Sequence, residues 1–136
     1  MKTIEKLVKV LIIDDAYDTR EIMSLILQKK GFDVQAVGNS MDALAIAARN
    51  KPDIIIYNIT SSETDAFETG RRIREVPEAR DTPIIFLSAC HDLSGNLYEL
   101  SGARILFVEK PCSIRYLIKQ ANKLIAFSRK SPPATE

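Results

Sequence analysis

The chain has 136 residues, 46% of them hydrophobic, and a formal net charge of +1 from 19 basic and 18 acidic side chains. That length suits one domain with one sizeable core, and the balanced charge lacks the basic excess of a nucleic-acid surface, so no nucleic-acid partner is expected. No apolar stretch approaches a membrane span and Met1 to Lys6 hold no signal-peptide core, so a cytoplasmic protein without a membrane partner is expected.

Short apolar runs alternate with amphipathic stretches. The first run, Val8 to Ile13, is followed by Asp18-Thr19-Arg20-Glu21, which reads as a capping box with Asp18 as N-cap. Ile22, Leu25 and Ile26 then form an apolar stripe, and Gly31 is a C-terminal stop. The second run, Asp33 to Val37, is mixed and suits an edge strand; Ser40 caps an alanine-rich helix through Asn50. The third run, Ile54 to Tyr57, leads through Asn58 to a helix over about Asp65 to Glu75, ended by Pro77. After the fourth run, Ile84 to Leu87, a helix over about Asp92 to Leu100 is weakened by Gly95. The fifth, Ile105 to Val108, precedes a helix capped by Ser113, with Ile114, Leu117, Ile118, Ala121, Leu124 and Ile125 at helical spacing. Residues from Ser128 on read as a disordered tail.

Four of the five runs are almost continuously apolar, as in strands buried on both faces of a parallel sheet. Five strand–helix alternations predict a doubly wound α/β sandwich with right-handed crossovers. In such a sheet ligands bind beyond the carboxyl ends of the strands. Asp14 and Asp15 follow the first strand, Asn58 ends the third, Ser88 ends the fourth and Lys110-Pro111 follows the fifth. All are therefore expected on one edge of one sheet.

The strings Leu11-Ile12-Ile13-Asp14-Asp15, Pro83-Ile84-Ile85-Phe86-Leu87-Ser88-Ala89, Gly102-Ala103 and Glu109-Lys110-Pro111 resemble the receiver domain of two-component response regulators, over residues 5–128. The resemblance implies a flavodoxin-like αβα sandwich with five parallel strands in the order 2-1-3-4-5, and a non-enzymatic signalling role. It implies a Mg²⁺ site from Asp14, Asp15, the side chain at position 58 and the Thr60 carbonyl, suited to a hard cation by its oxygen ligands. It implies phosphoryl contacts from Ser88 and Lys110, and a switch aromatic at Phe107. It also implies an output face on the fourth helix, fifth strand and fifth helix, here Leu97, Tyr98, Arg104, Leu106, Arg115, Tyr116 and Lys119. Partners implied for that face are a histidine kinase, an output domain, another regulator or a second copy of the chain.

The departure is at the acceptor. Asn58 stands where the family carries its phosphate-accepting aspartate. A carboxylate attacks phosphorus and holds an acyl phosphate; an amide does not, because its nitrogen lone pair is delocalised. Mg²⁺ binding is expected to be weak, since the neutral amide removes one negative charge from the cluster. The loop after Asn58 departs too: many receivers have Pro-Gly at Ser62-Glu63 and Gly at Ala66. A single substitution would not alter that loop, so natural divergence is expected.

Two alternatives remain at this level. Asp14 or Asp15 is a possible replacement acceptor. A haloacid-dehalogenase-type phosphatase needs Asp-x-Asp, and residue 16 is Ala. Cys90 and Cys112 are too few for a disulfide framework and read as free thiols. His91, the one histidine, reads as a solvated loop residue.

Overall fold

The computed structural model describes residues 6–60, 63–89 and 104–130. In chain order these form β1 (Lys9–Ile13), α1 (Tyr17–Lys29), β2 (Asp33–Val37), α2 (Ser40–Asn50), β3 (Ile54–Asn58), α3 (Glu63–Glu75), a 3-10 turn (Pro77–Ala79), β4 (Ile84–Ser88), β5 (Ile105–Glu109) and α4 (Ile114–Lys130). The strands pair in parallel in the order β2-β1-β3-β4-β5, the expected order. The fourth expected helix, with Cys90, His91, Leu97 and Tyr98, lies outside the described residues.

The apolar runs are explained by two cores, one on each face of the sheet. Leu11, Ile13, Ile55, Ile84 and Phe86 pack against Ala43 and Ala47 of α2 and Ala66, Phe67 and Ile73 of α3. Val10, Ile12, Ile54, Ile56, Ile85, Leu87 and Val108 pack against Leu27 of α1 and Leu117, Ala121 and Ile125 of α4. Successive strand residues point to opposite faces, so a strand covered on both must be apolar throughout. Each fully buried Ile or Leu here contributes about 1.5–3 kcal/mol. β2, at an edge, has no fully buried residue.

Several helix ends differ from the sequence expectation. α1 starts at Tyr17 with Ala16 as N-cap and no side-chain cap, so Asp18 and Glu21 form no capping box. The reason lies upstream: Asp14 Oδ1 takes the Ala16 N–H at 2.9 Å, which turns the chain into the helix before Asp18 is reached. Asp18 sits in the first turn, where its charge complements the helix dipole. α1 ends as expected at Gly31, with φ +98°. Phe32 N–H donates to the Leu27 carbonyl and Gly31 N–H to that of Gln28, the paired bonds of a Schellman ending.

α2 is capped by Asn39 and not by Ser40. Asn39 Oδ1 accepts from the Asp42 N–H at 2.9 Å, and its Nδ2 donates to Asp42 Oδ2 at 3.1 Å. Ser113 caps α4 as expected, accepting from the Tyr116 N–H at 3.0 Å. α4 continues to Lys130, so residues 128–130, expected in a disordered tail, are helical. Ile125 anchors the last turns in the core, and Arg129 reaches Asp53 at 3.5 Å.

Candidate functional site

β1 and β3 run side by side with Ile12 opposite Ile56 and Ile13 opposite Tyr57. The next pair in that register is Asp14 and Asn58. Residues 12, 56 and 108 all face α1 and α4, and the two-residue strand period carries Asp14, Asn58 and Lys110 to the same face. The ladder persists past the strand ends: the Asp14 N–H donates to the Val37 carbonyl at 3.0 Å and the Lys110 N–H to the Ser88 carbonyl at 2.7 Å.

These three side chains form a hydrogen-bonded chain. Asn58 Nδ2 donates to Asp14 Oδ2 at 2.9 Å, and Lys110 Nζ donates to Asn58 Oδ1 at 2.9 Å. Lys110 Nζ also donates to the Ile59 carbonyl at 2.8 Å. The partners fix the amide's orientation, because a carboxylate only accepts and an ammonium only donates. Asp14 is completely buried and Asn58 nearly so. Asp14 Oδ2 also accepts from the Thr19 hydroxyl at 2.6 Å, so three donors serve this carboxylate. The Asp14 carbonyl accepts from Arg20 Nη1 at 2.8 Å.

Asp15 sits apart from this chain, exposed, and accepts a hydrogen bond from the Thr60 hydroxyl. It borders a polar cleft of about 330 Å³ with Tyr57, Asp65, Thr69 and Arg72. Burial raises the Tyr57 pKa above its ordinary value; a hydrogen bond with Thr69 pulls it down, and the Asp15 and Asp65 carboxylates push it up.

The remaining expected site residues sit on or beside β4, β5 and α4. Ser88 is buried at the end of β4. Phe107 is half-buried and stacks on Phe86, with ring centroids 5.1 Å apart, and lies 5.7 Å from Phe67. It is therefore part of an aromatic cluster on the α2–α3 side. Arg115, Tyr116 and Lys119 are exposed on α4, Arg104 is half-buried, and Leu106 is half-buried against the core beneath α4. Cys112, a free thiol, has its pKa raised by burial, against a downward pull from the Lys110 ammonium.

These contacts bear on the Mg²⁺ donor set that the resemblance implies. Asp14 Oδ1 carries the Ala16 N–H, and Oδ2 carries Thr19 and Asn58. Asn58 Oδ1 accepts from Lys110 through one of its two lone pairs, and the Thr60 hydroxyl, which is not the implied ligand atom, donates to Asp15. Mg²⁺ demands a near-octahedral set of oxygens, and the Asp14 and Asn58 oxygens join one only by sharing or giving up hydrogen bonds already made. Among the described residues no three His, Cys, Asp or Glu side chains converge on a metal position.

Sequence reasoning missed Thr19, Arg20 and Gly38. Thr19 and Arg20 come from the first turns of α1, five and six residues after Asp14. Gly38 follows the neighbouring strand β2, where a Cβ would lie 2.5 Å from Arg20 Nη1. The glycine beside the acidic pair's edge was the one available signal, and it had no meaning until β2 was known to lie next to β1.

Comparison with known proteins agrees with this geometry. The family model of the response regulator receiver domain matches residues 10–122. The DNA-binding dual master transcriptional regulator RpaA of Synechocystis is 23% identical over 128 residues, which cover 94% of this chain and 53% of that protein. The chain spans about half the length of most of the curated relatives it matches. Among solved structures, the Vibrio cholerae chemotaxis protein CheY4 superposes with a TM-score of 0.78 at 24% identity, covering 88% of this chain and 99% of that one. The receiver domain of a Pseudomonas aeruginosa sensor histidine kinase, solved with magnesium in its active-site cleft, superposes with a TM-score of 0.74 at 23% identity, covering 89% and 99%. With the sheet order, the strand-end acids and the lysine before proline all in place, the chain belongs to the response regulator receiver family.

Proposed function

We propose that this chain is a pseudo-receiver: a two-component signalling module, cytoplasmic and non-enzymatic, that acts through protein contacts without aspartyl phosphorylation. The observation that carries this reading is the Asn58 amide, hydrogen-bonded at both ends at the position of the family's phosphoacceptor. It has no carboxylate oxygen to attack phosphorus. Asp14 is a poor replacement, since it is buried and three donors serve its two oxygens. Mg²⁺ is not required in this reading and binds weakly at most.

The receiver unit is proposed to span residues 5–128, with α4 running on to Lys130. Its partner is a signalling protein, a histidine kinase, an output domain or another regulator, or else a second copy of the chain. The proposed contact surface includes Arg104, Leu106, Arg115, Tyr116 and Lys119; Tyr116 is an exposed aromatic, a residue type enriched where partners bind.

Intact-mass spectrometry after incubation with Mg²⁺ and acetyl phosphate tests this directly, beside a phosphorylatable receiver. The expected result is no phosphoryl adduct while the control is labelled. A stoichiometric, base-labile adduct refutes the proposal and assigns the acceptor to another carboxylate, first of all the exposed Asp15.

A further inference from the structure

We infer that the Asn58 amide holds, at Asp14, the place a cation would take beside a second carboxylate, and links Asp14 to Lys110, so that the site is assembled without metal. The inference deepens the pseudo-receiver reading and rests on it. Asp14 Oδ2 and Lys110 Nζ lie on either side of one planar group, each 2.9 Å from it. An amide has a donor at one end and an acceptor at the other, and here each end meets its complement. A carboxylate at position 58 would keep the bond to Lys110 and lose the bond to Asp14. It would put two anionic oxygens about 3 Å apart in a buried site, a contact that a bound cation or a shared proton has to relieve.

The bond has structural reach. Asn58 ends β3 and Lys110 follows β5, with β4 between them. Lys110 Nζ also holds the Ile59 carbonyl, so one ammonium binds the loop before α4 to the end of β3. Asn58 and Lys110 then form part of the wall of an apolar groove of about 310 Å³ between α1 and α4, lined also by Ile22, Met23, Pro111, Cys112 and Ile114. The amide is thus a positioning group: it sets Lys110 and, through it, that wall. A cation that takes Asp14 Oδ2 as a ligand has to displace the amide from it, giving up a bond that is already made.

The test is urea denaturation of the wild type and of Asn58→Asp, each in EDTA and in about 10 mM MgCl₂, because a ligand of the native state raises the midpoint. The wild-type midpoint is expected to be the same in both buffers. The variant is expected to fall below the wild type in EDTA and to regain stability with MgCl₂. A wild-type midpoint that rises with MgCl₂ overturns the inference. So does a variant as stable as wild type in EDTA, or one that folds but does not respond to MgCl₂. If the variant does not fold, the wild-type pair still decides, joined by Mn²⁺ titration of the wild type followed by electron paramagnetic resonance; loss of the free-ion signal overturns the inference. Wild type that takes no phosphoryl group yet gains stability from Mg²⁺ refutes this inference alone. Phosphorylation of the wild type refutes the function on which it rests.

Discussion

Asp14 and Asn58 are cross-strand neighbours one step beyond Ile13 and Tyr57, the last ladder pair of β1 and β3, and are joined by a 2.9 Å hydrogen bond in a buried position. The pairing makes Asp14 a structural centre: its carboxylate serves the start of α1, the Thr19 hydroxyl and the end of β3.

Replacing it should therefore be costly. Asp14→Ala leaves the Ala16 N–H, the Thr19 hydroxyl and the buried Asn58 amide without their acceptor, and removing a buried charged group from its hydrogen bonds costs about 3 kcal/mol. Urea denaturation should show a loss near that size. A loss under about 1 kcal/mol would mean that water replaces the carboxylate and that the network is not the support described here.

Gly38 leaves room for Arg20. A Cβ there would lie 2.5 Å from Arg20 Nη1 and 3.7 Å from the Asp14 carbonyl oxygen. Gly38→Ala should push the guanidinium off that carbonyl and off its 5.4 Å stacking on Tyr17, for a loss of about 1 kcal/mol. The Arg20→Ala background supplies the control: most of the Gly38→Ala cost should vanish there. Equal costs in both backgrounds would place the effect in the backbone instead.

Two backbone positions should respond with opposite signs. Gly31 has φ +98° with open space around its missing Cβ, so Gly31→Ala should destabilise by about 1 kcal/mol through strain alone. Lys51 ends α2 at φ +49°, and Lys51→Gly should stabilise by about 0.5 kcal/mol by removing a similar strain. Thermal melts of both variants check the pair, and the same sign in both would contradict it.

Alkaline stability should carry the mark of Tyr57 and Cys112. Burial, the largest cause for each, raises the Tyr57 pKa above its ordinary 10.0 and the Cys112 pKa above its ordinary 9.0. The folded state thus holds these protons more tightly than the unfolded chain does. Their contribution is complete below about pH 9 and is lost as pH rises through 9.0, then 10.0, towards the raised folded values. Tyr57→Phe and Cys112→Ser should each flatten the alkaline limb of a stability–pH profile and leave its slope near pH 7 unchanged. An unaltered slope above pH 9 in both would remove these groups as its cause.

The sequence by itself determined the architecture and the shared sheet edge of Asp14, Asn58 and Lys110. Continuous apolar runs such as Ile54-Ile55-Ile56 demand burial on both faces, and residues that end parallel strands must share one edge. The sequence also carried the one chemical fact that local context cannot change, the amide at position 58. Tertiary structure decided what that amide does. Whether Asn58 Nδ2 meets a carboxylate and its Oδ1 an ammonium depends on strand register, on which face each side chain takes and on the Lys110 loop closing over β3. Those are contacts 44 and 52 residues apart in the chain. The same limit explains the helix starts: Asp18 and Ser40 are good caps by residue type, but Asp14 and Asn39 stood nearer the N–H groups once the chain had turned. Composition and spacing report what a segment prefers, whereas the partner of a polar group is chosen by which segments the fold brings within 3 Å.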